Sequence, residues 1–467
     1  MTEDELCNLD LIEAGRLVQR RDLSCVELTQ AQLRRIERLD GRLRSYATVT
    51  ADAALAQARQ ADEEIRSRAI RGPLHGVPVA VKDLCNTEGI ATAAGMAIHK
   101  RHIPERDATV VARLKASGAV LLGKLQMTEG AMSTHHPSIP PPVNPWGEAL
   151  WPGVSSSGSG VATAACLCFG SLGSDTLGSI RFPSTMNGVT GLKPTWGRVS
   201  RAGVFPLAES LDHIGPMTRN AADAAAMLGA IAGLDADDPT ALQAPVPDYL
   251  DGIDGGVRGL RVGIDRALNA AGTDEDTVRA SDAACAVLSR LGAGVRDVAF
   301  PSPDDVARDA VLLCAIEAAA AHEATYPARA SEYGPVFAAF LDTGRNVDAS
   351  TVVKIRKRRA EFSGRVAALF KEIDVLIVPA LNRAGLTLAE LSPNAANPAQ
   401  ARLGRVRFTA PFDMTGSPAL VLPGGRTAQG LPVGFQMVGR HLEEALLLRA
   451  GHAFQQATEW HRRRPPV

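Results

Sequence analysis

Three short stretches of this 467-residue chain carry side chains of the kind that break bonds. The first, GVPVAVKDL, leaves Lys82 at the end of a β-rich run. The second, PGVSSSGSGVA, holds Ser155, Ser156 and Ser157. The third, GSDTLGSIRFPS, holds Ser179, with Asp175 and Arg181 on either side of a Gly-containing turn. Taken singly, each has a plain alternative. A lysine at a strand end is usually solvated, and a Gly/Ser-rich loop is usually a flexible linker or a phosphate cradle. The serine loop, however, is not a G-x-x-x-x-G-K-[ST] phosphate loop and lacks the G-x-G-x-x-G of a dinucleotide site. GSDTLGSIR contains no G-x-S-x-G nucleophile elbow. Apolar residues Val161, Leu167, Phe169, Leu172, Ile180 and Phe182 run through this region, which a solvated linker does not need. Small residues embedded in apolar sequence point instead to close backbone packing around a site.

Read as a set, the three stretches resemble the amidase signature family. In that family the bridging serine precedes the nucleophile by the spacing that separates Ser155 from Ser179, 24 positions. The likeness continues through NGVTGLKPTWGRVS and SLDHIGPMTR to FTAPFDMTGSPAL and GLPVGFQMVG, so it covers nearly the whole chain. It implies an α/β fold: a single α/β/α domain over residues 1–467, with a central mixed twisted sheet covered by helices on both faces. Within it lie an N-terminal helical region (1–70), a signature core (71–220), a variable helical and loop region (231–405) and a C-terminal return to the core (406–467).

The resemblance also implies a Ser–Ser–Lys triad, with Ser179 as nucleophile, Ser155 as proton relay after a cis peptide bond, and Lys82 as general base. The chemistry is consistent. A serine hydroxyl is a weak nucleophile and needs a base. No histidine lies in these motifs; His213 is the nearest in sequence and reads as structural. A lysine serves as base only when neutral, which burial favours. Backbone N–H groups of Thr176, Leu177, Gly178 and Ser179 are the implied oxyanion donors. Ser156, Asp175 and Arg181 are the implied supports of the loop. On the substrate side, Ala131 aligns with a residue lining the acyl pocket, and Met127, Met132, Ile139 and Trp151 are candidates for its apolar walls. Leu177 stands where relatives commonly carry glycine, which puts an isobutyl group one residue from the donors. His135 and His136 are not a metal pair, because adjacent side chains on an extended chain point opposite ways.

The implied activity is hydrolysis of an amide, anilide or carbamate, since some relatives cleave urethane bonds. Two other readings use the same scaffold: the A subunit of an aminoacyl-tRNA amidotransferase, and a catalytically silent binding protein. No metal or organic cofactor is expected. The expected partners are a small amide or carbamate and water, and homodimers are common among relatives.

These groups need elements to position them. Ser24 and Glu27 form a capping box ahead of VELTQAQLRRIERL, and ADAALAQARQADEEIRS follows as a second helix. VPVAVKD, AVLLGK, LRVGI and VLIVPA read as strands; DATVVARLKASG, SDAACAVLSRLGAG and VVKIRKRRAEFSGRVAALFKEI read as helices. That alternation predicts a mostly parallel sheet. Residues 231–259 read as a surface excursion, and PNAANPAQA, from Pro393, as a loop.

With 45% hydrophobic and 22% charged residues, the composition is that of an ordinary globular protein. A formal net charge of -1 gives no electrostatic reason to expect nucleic acid or an anionic membrane as partner. No apolar run approaches the roughly 20 residues that span a bilayer. The acidic N-terminus lacks the pattern of a signal peptide, so a cytoplasmic location is expected. Seven scattered cysteines do not form a disulfide framework, and Cys166 and Cys168 read as small core residues.

Overall fold

The computed structural model describes residues 1–391 and 403–467; the loop read at Pro393 lies outside the described residues. Eleven strands form one sheet: β1 (Tyr46–Val49), β2 (Pro78–Lys82), β3 (Val120–Leu125), β4 (Gly170–Asp175), β5 (Thr190–Lys193), β6 (His213–Thr218), β7 (Arg261–Ile264), β8 (Gly294–Asp297), β9 (Val375–Pro379), β10 (Ala419–Arg426) and β11 (Pro432–Gly439). Their spatial order is β1-β3-β2-β4-β6-β5-β10-β11-β9-β7-β8.

The four runs rich in Val, Ile and Leu became β2, β3, β7 and β9, and these make the parallel pairings β2–β3, β2–β4, β7–β8 and β7–β9. The expectation of a mostly parallel sheet is corrected by the centre. From β4 through β6, β5, β10 and β11 to β9 every pairing is antiparallel. Strands β4, β5 and β6 carry Gly, Ser, Thr and Pro rather than a branched apolar run, so the sequence hides them. The sheet is therefore mixed α/β. Helices flank it: Glu275–Arg290 and Glu444–Gln456 both pack on β10.

The capping box is formed, Ser24 accepting from the Glu27 N–H at the start of helix Cys25–Leu43. The segment 231–259 is not a simple excursion. Tyr249, Ile253 and Val257 are buried, and Arg198 donates to the Tyr249 hydroxyl at 2.7 Å. All seven cysteines are unpaired and buried. Among the described residues, no helix is long and apolar enough to cross a membrane.

The mixed topology places chemistry on one edge. Strands β2 and β4 are parallel neighbours, so Lys82 at the end of β2 and Ser174–Asp175 at the end of β4 emerge together. The carboxyl ends of parallel strands are where α/β sheets present ligand sites. Antiparallel β6 starts at this same edge, with His213 opposite Asp175.

Candidate active site

Lys82 is wholly buried at the end of β2. Its Nζ lies 2.6 Å from Ser155 Oγ, 2.9 Å from Ser156 Oγ and 2.8 Å from Ser174 Oγ. Among the described residues it has no carboxylate partner within ion-pair distance. A buried ammonium with only hydroxyl acceptors is poorly compensated, so burial brings the Lys82 pKa down to about 7.

The serines arrive on a loop that enters helix Ser157–Ala164, and the Val154–Ser155 peptide is cis, as the resemblance implied. Ser156 is saturated. It accepts from the Ser174 N–H and from Lys82, and donates to the Ser174 carbonyl, at 3.1, 2.9 and 3.1 Å. Ser179 is brought beside this loop, its carbonyl accepting from the Ser156 N–H at 3.3 Å. No hydrogen bond joins the Ser179 hydroxyl to a described residue; it opens on a cavity of about 710 Å³. Ser174 escaped the sequence reading, which saw GSD only as the flank of a nucleophile loop. Local sequence carried no signal for it, since its contact with Lys82 depends on the pairing of β4 with β2.

The loop from Asp175 to Arg181 is held from within. The Asp175 carboxylate accepts from the N–H groups of Gly178, Ile180 and Arg181 at 2.6, 3.0 and 3.3 Å. It also receives the Arg181 guanidinium at 2.8 and 2.9 Å. Burial alone would raise the Asp175 pKa, but the charge and hydrogen bonds of Arg181 hold it below the usual carboxylate range. Gly178 must be glycine: its φ is 129°, and a Cβ there would lie 2.4 Å from the Phe182 ring.

One expectation changes here. The Gly178 N–H points at Asp175 and is not a free donor. Those of Thr176, Leu177 and Ser179 donate to no described residue. Leu177 is outside the left-handed region, so it carries no strain of that kind, and its half-buried side chain lines the cavity. The Thr176 hydroxyl donates to Asp212 at 2.5 Å.

Ala131, Met132, Ile139 and Trp151 do line the cavity, joined by Phe182 and Val406. Met127 does not; it is fully buried in the main core just beyond β3. His135 reaches Ser157 Oγ at 3.1 Å and also lines the cavity, where burial lowers its pKa to about 4 and keeps it neutral. His213 is buried opposite Asp175, its Nδ1 facing the Leu211 and Asp175 carbonyls and its Nε2 facing Lys193 Nζ. Among the described residues, no group of three or more His, Cys, Asp or Glu could hold a metal ion.

A mixed eleven-stranded sheet thus carries a buried lysine, clustered hydroxyls and free backbone donors at one edge. Comparison with known proteins places it more narrowly. The Amidase family profile matches residues 27–448. "Putative amidase AmiD" of Mycobacterium tuberculosis is 50% identical, over 100% of this chain and 98% of its own. The A subunit of the glutamyl-tRNA(Gln) amidotransferase of a Geobacter species is 37% identical, over 99% and 100%. The structure of 6-aminohexanoate cyclic dimer hydrolase complexed with substrate superposes with a TM-score of 0.88 at 27% identity, covering 98% and 99%. The chain belongs to the amidase family, and the reaction this supports is hydrolysis of an amide C–N bond.

Proposed function

We propose that this chain is a serine hydrolase of amides and carbamates that carry no positive charge, working through an acyl-enzyme on Ser179. The observation that carries this reading is the Lys82 cluster: a wholly buried amine among three hydroxyls, behind a cavity that contains a free serine.

Proton counting supports a direction of transfer. Neutral Lys82 has two N–H donors and one lone pair. The single Ser156 proton goes to the Ser174 carbonyl, so Ser156 can only accept from Lys82. The lone pair is then filled by Ser155 or Ser174. When Ser155 donates, its oxygen is free to take the proton of Ser179. As Ser179 Oγ attacks the carbonyl carbon, that proton passes to Ser155 Oγ and the Ser155 proton passes to Nζ. The developing oxyanion meets the N–H groups of Thr176, Leu177 and Ser179. Collapse returns the proton through Ser155 to the leaving nitrogen, and water repeats the sequence on the acyl-enzyme. A carbamate presents the same carbonyl and the same leaving amine.

The cavity narrows the substrate. Its walls are mostly apolar; of the described residues Arg405 brings a cation to them, and no Asp or Glu lines it. An amide bearing an ammonium group, such as a free amino-acid amide, finds no counter-charge there, which disfavours the amidotransferase reading. The test is turnover by the purified chain alone. Neutral aryl amides or aryl carbamates are expected to be cleaved with kcat/KM at least about tenfold above glutamine, whose ammonium finds no carboxylate among the described residues of the cavity. Faster turnover of glutamine overturns the substrate class.

Leu177 adds a selectivity prediction. It lines the cavity beside Ser179 without left-handed backbone strain, and we place it on the acyl side. Leu177→Gly is expected to raise kcat/KM for bulky acyl amides by about tenfold relative to acetyl amides, the order of one buried side-chain contact. A uniform change across acyl groups would instead indicate an effect on the oxyanion loop.

A further inference from the structure

The segment Phe408–Met414 is more than 200 residues beyond the nucleophile, yet it grips the nucleophile loop. Thr409 Oγ1 donates to the Leu177 carbonyl at 2.6 Å. The Thr409 carbonyl accepts from Arg181 Nη1 at 3.0 Å, and Asp413 Oδ2 accepts from Arg181 Nη2 at 2.6 Å. Gln436 on β11 anchors the segment in turn, donating to the Phe408 carbonyl at 2.6 Å. Thr409 and Gln436 are wholly buried.

The Leu177 carbonyl and the Gly178 N–H belong to one peptide plane. Thr409 holds its oxygen end and Asp175 its nitrogen end, both at 2.6 Å. A peptide unit is rigid, so fixing both ends fixes its orientation. Rotating that plane changes the torsions on either side of it, at Leu177 and Gly178. Those torsions aim the flanking N–H groups of Leu177 and Ser179, which are two of the free donors. Gly178, at φ 129°, has no side chain to resist such a rotation. The hydroxyl of Thr409 supplies the resistance that the backbone lacks.

We propose that Thr409 is a positioning residue for the oxyanion donors, holding the Leu177–Gly178 peptide so that the N–H groups around it converge on the substrate oxygen. The inference rests on reading Ser179 as the nucleophile. The Thr409 hydroxyl also lies 3.3 Å from the Val406 carbonyl, and Val406 lines the cavity. The one proton of that hydroxyl goes to the nearer acceptor, Leu177.

A purely structural hydrogen bond and a positioning one differ in what they change. Preorganised donors act on the charge that develops in the transition state, not on the ground state. Thr409→Val keeps the shape and removes the donor. Its kcat is expected to fall by about 10- to 100-fold, less than the loss of a donor itself, with KM for the same aryl amide changed by no more than about twofold. Affinity for a trifluoromethyl ketone carrying the same acyl group should fall in step with kcat/KM. Inhibition by the product carboxylic acid should stay within about twofold of wild type. Thr409→Ser retains the hydroxyl and should recover most of the lost rate. If the valine variant does not fold, Thr409→Ala is read in the same way against Thr409→Ser. A valine or alanine variant with wild-type kcat, or one that loses ketone and product affinity equally, overturns the role of Thr409. A wild-type enzyme whose Ser179 forms no adduct with the ketone overturns the nucleophile reading itself, and the two failures are told apart by that control.

Discussion

Replacing Ser179 with alanine is expected to abolish turnover while leaving the protein folded. The Ser179 hydroxyl makes no hydrogen bond to a described residue and opens on the cavity, so its removal strands no buried partner. The backbone contact from Ser156 to the Ser179 carbonyl and the free N–H of residue 179 survive the change. The stability cost should stay within about 1 kcal/mol, the scale of substitutions that touch no packed or bonded group. Loss of a covalent nucleophile removes the acyl-enzyme route altogether, and the expected fall in kcat is at least about 10³-fold. Rates measured on a neutral aryl amide, with Tm recorded for both proteins, check both halves. Residual activity above about a tenth of wild type would assign the nucleophile elsewhere.

The second large effect belongs to Lys82. Burial brings its pKa to about 7, and the neutral amine is the form that can accept a proton. The neutral fraction grows with pH, so kcat/KM should rise with pH through about 7 and level off on the alkaline side. The opposite slope would mean that a protonated group is required. Lys82→Arg places a permanently charged guanidinium where three hydroxyls surround the amine, and it should lower kcat by at least about 10³-fold with no recovery at alkaline pH. Near-normal turnover by that variant would show that another group takes the proton. The same depressed pKa couples to stability. Between about 7 and the ordinary value of 10.5 the unfolded chain holds a proton that the folded chain has released. Stability from this group therefore rises with pH across that window.

The family resemblance pointed to Lys82, Ser155, Ser156 and Ser179, and the structure brings the first three within hydrogen-bonding distance, with the Ser179 carbonyl bonded to the Ser156 N–H. Local patterns worked where an element carries its own signal, as in the Ser24–Glu27 cap and the branched apolar strands β2, β3, β7 and β9. They failed at β4, β5 and β6, whose Gly, Ser, Thr and Pro residues are there for close packing and so carry no strand pattern. The parallel sheet inferred from the legible strands was therefore wrong at the centre. Around the site, the residues missed were those whose role depends on distant partners. Ser174 reaches Lys82 only because β2 and β4 are neighbours, and Thr409 meets Leu177 across 232 residues of chain. The resemblance counted four oxyanion donors because it counts positions. Geometry removes Gly178, whose N–H is already bound by Asp175. Met127 shows the same limit on the substrate side, since an apolar side chain near a pocket in sequence can equally face the core.

The central claim is a covalent intermediate on Ser179, and mass spectrometry of the enzyme stopped during turnover of a slow aryl amide or carbamate tests it most directly. The expected result is the mass of the acyl or alkoxycarbonyl group on the peptide containing Ser179, absent from Ser179→Ala. Turnover with Ser179 unmodified, or with the group on another residue such as Ser155, would contradict it.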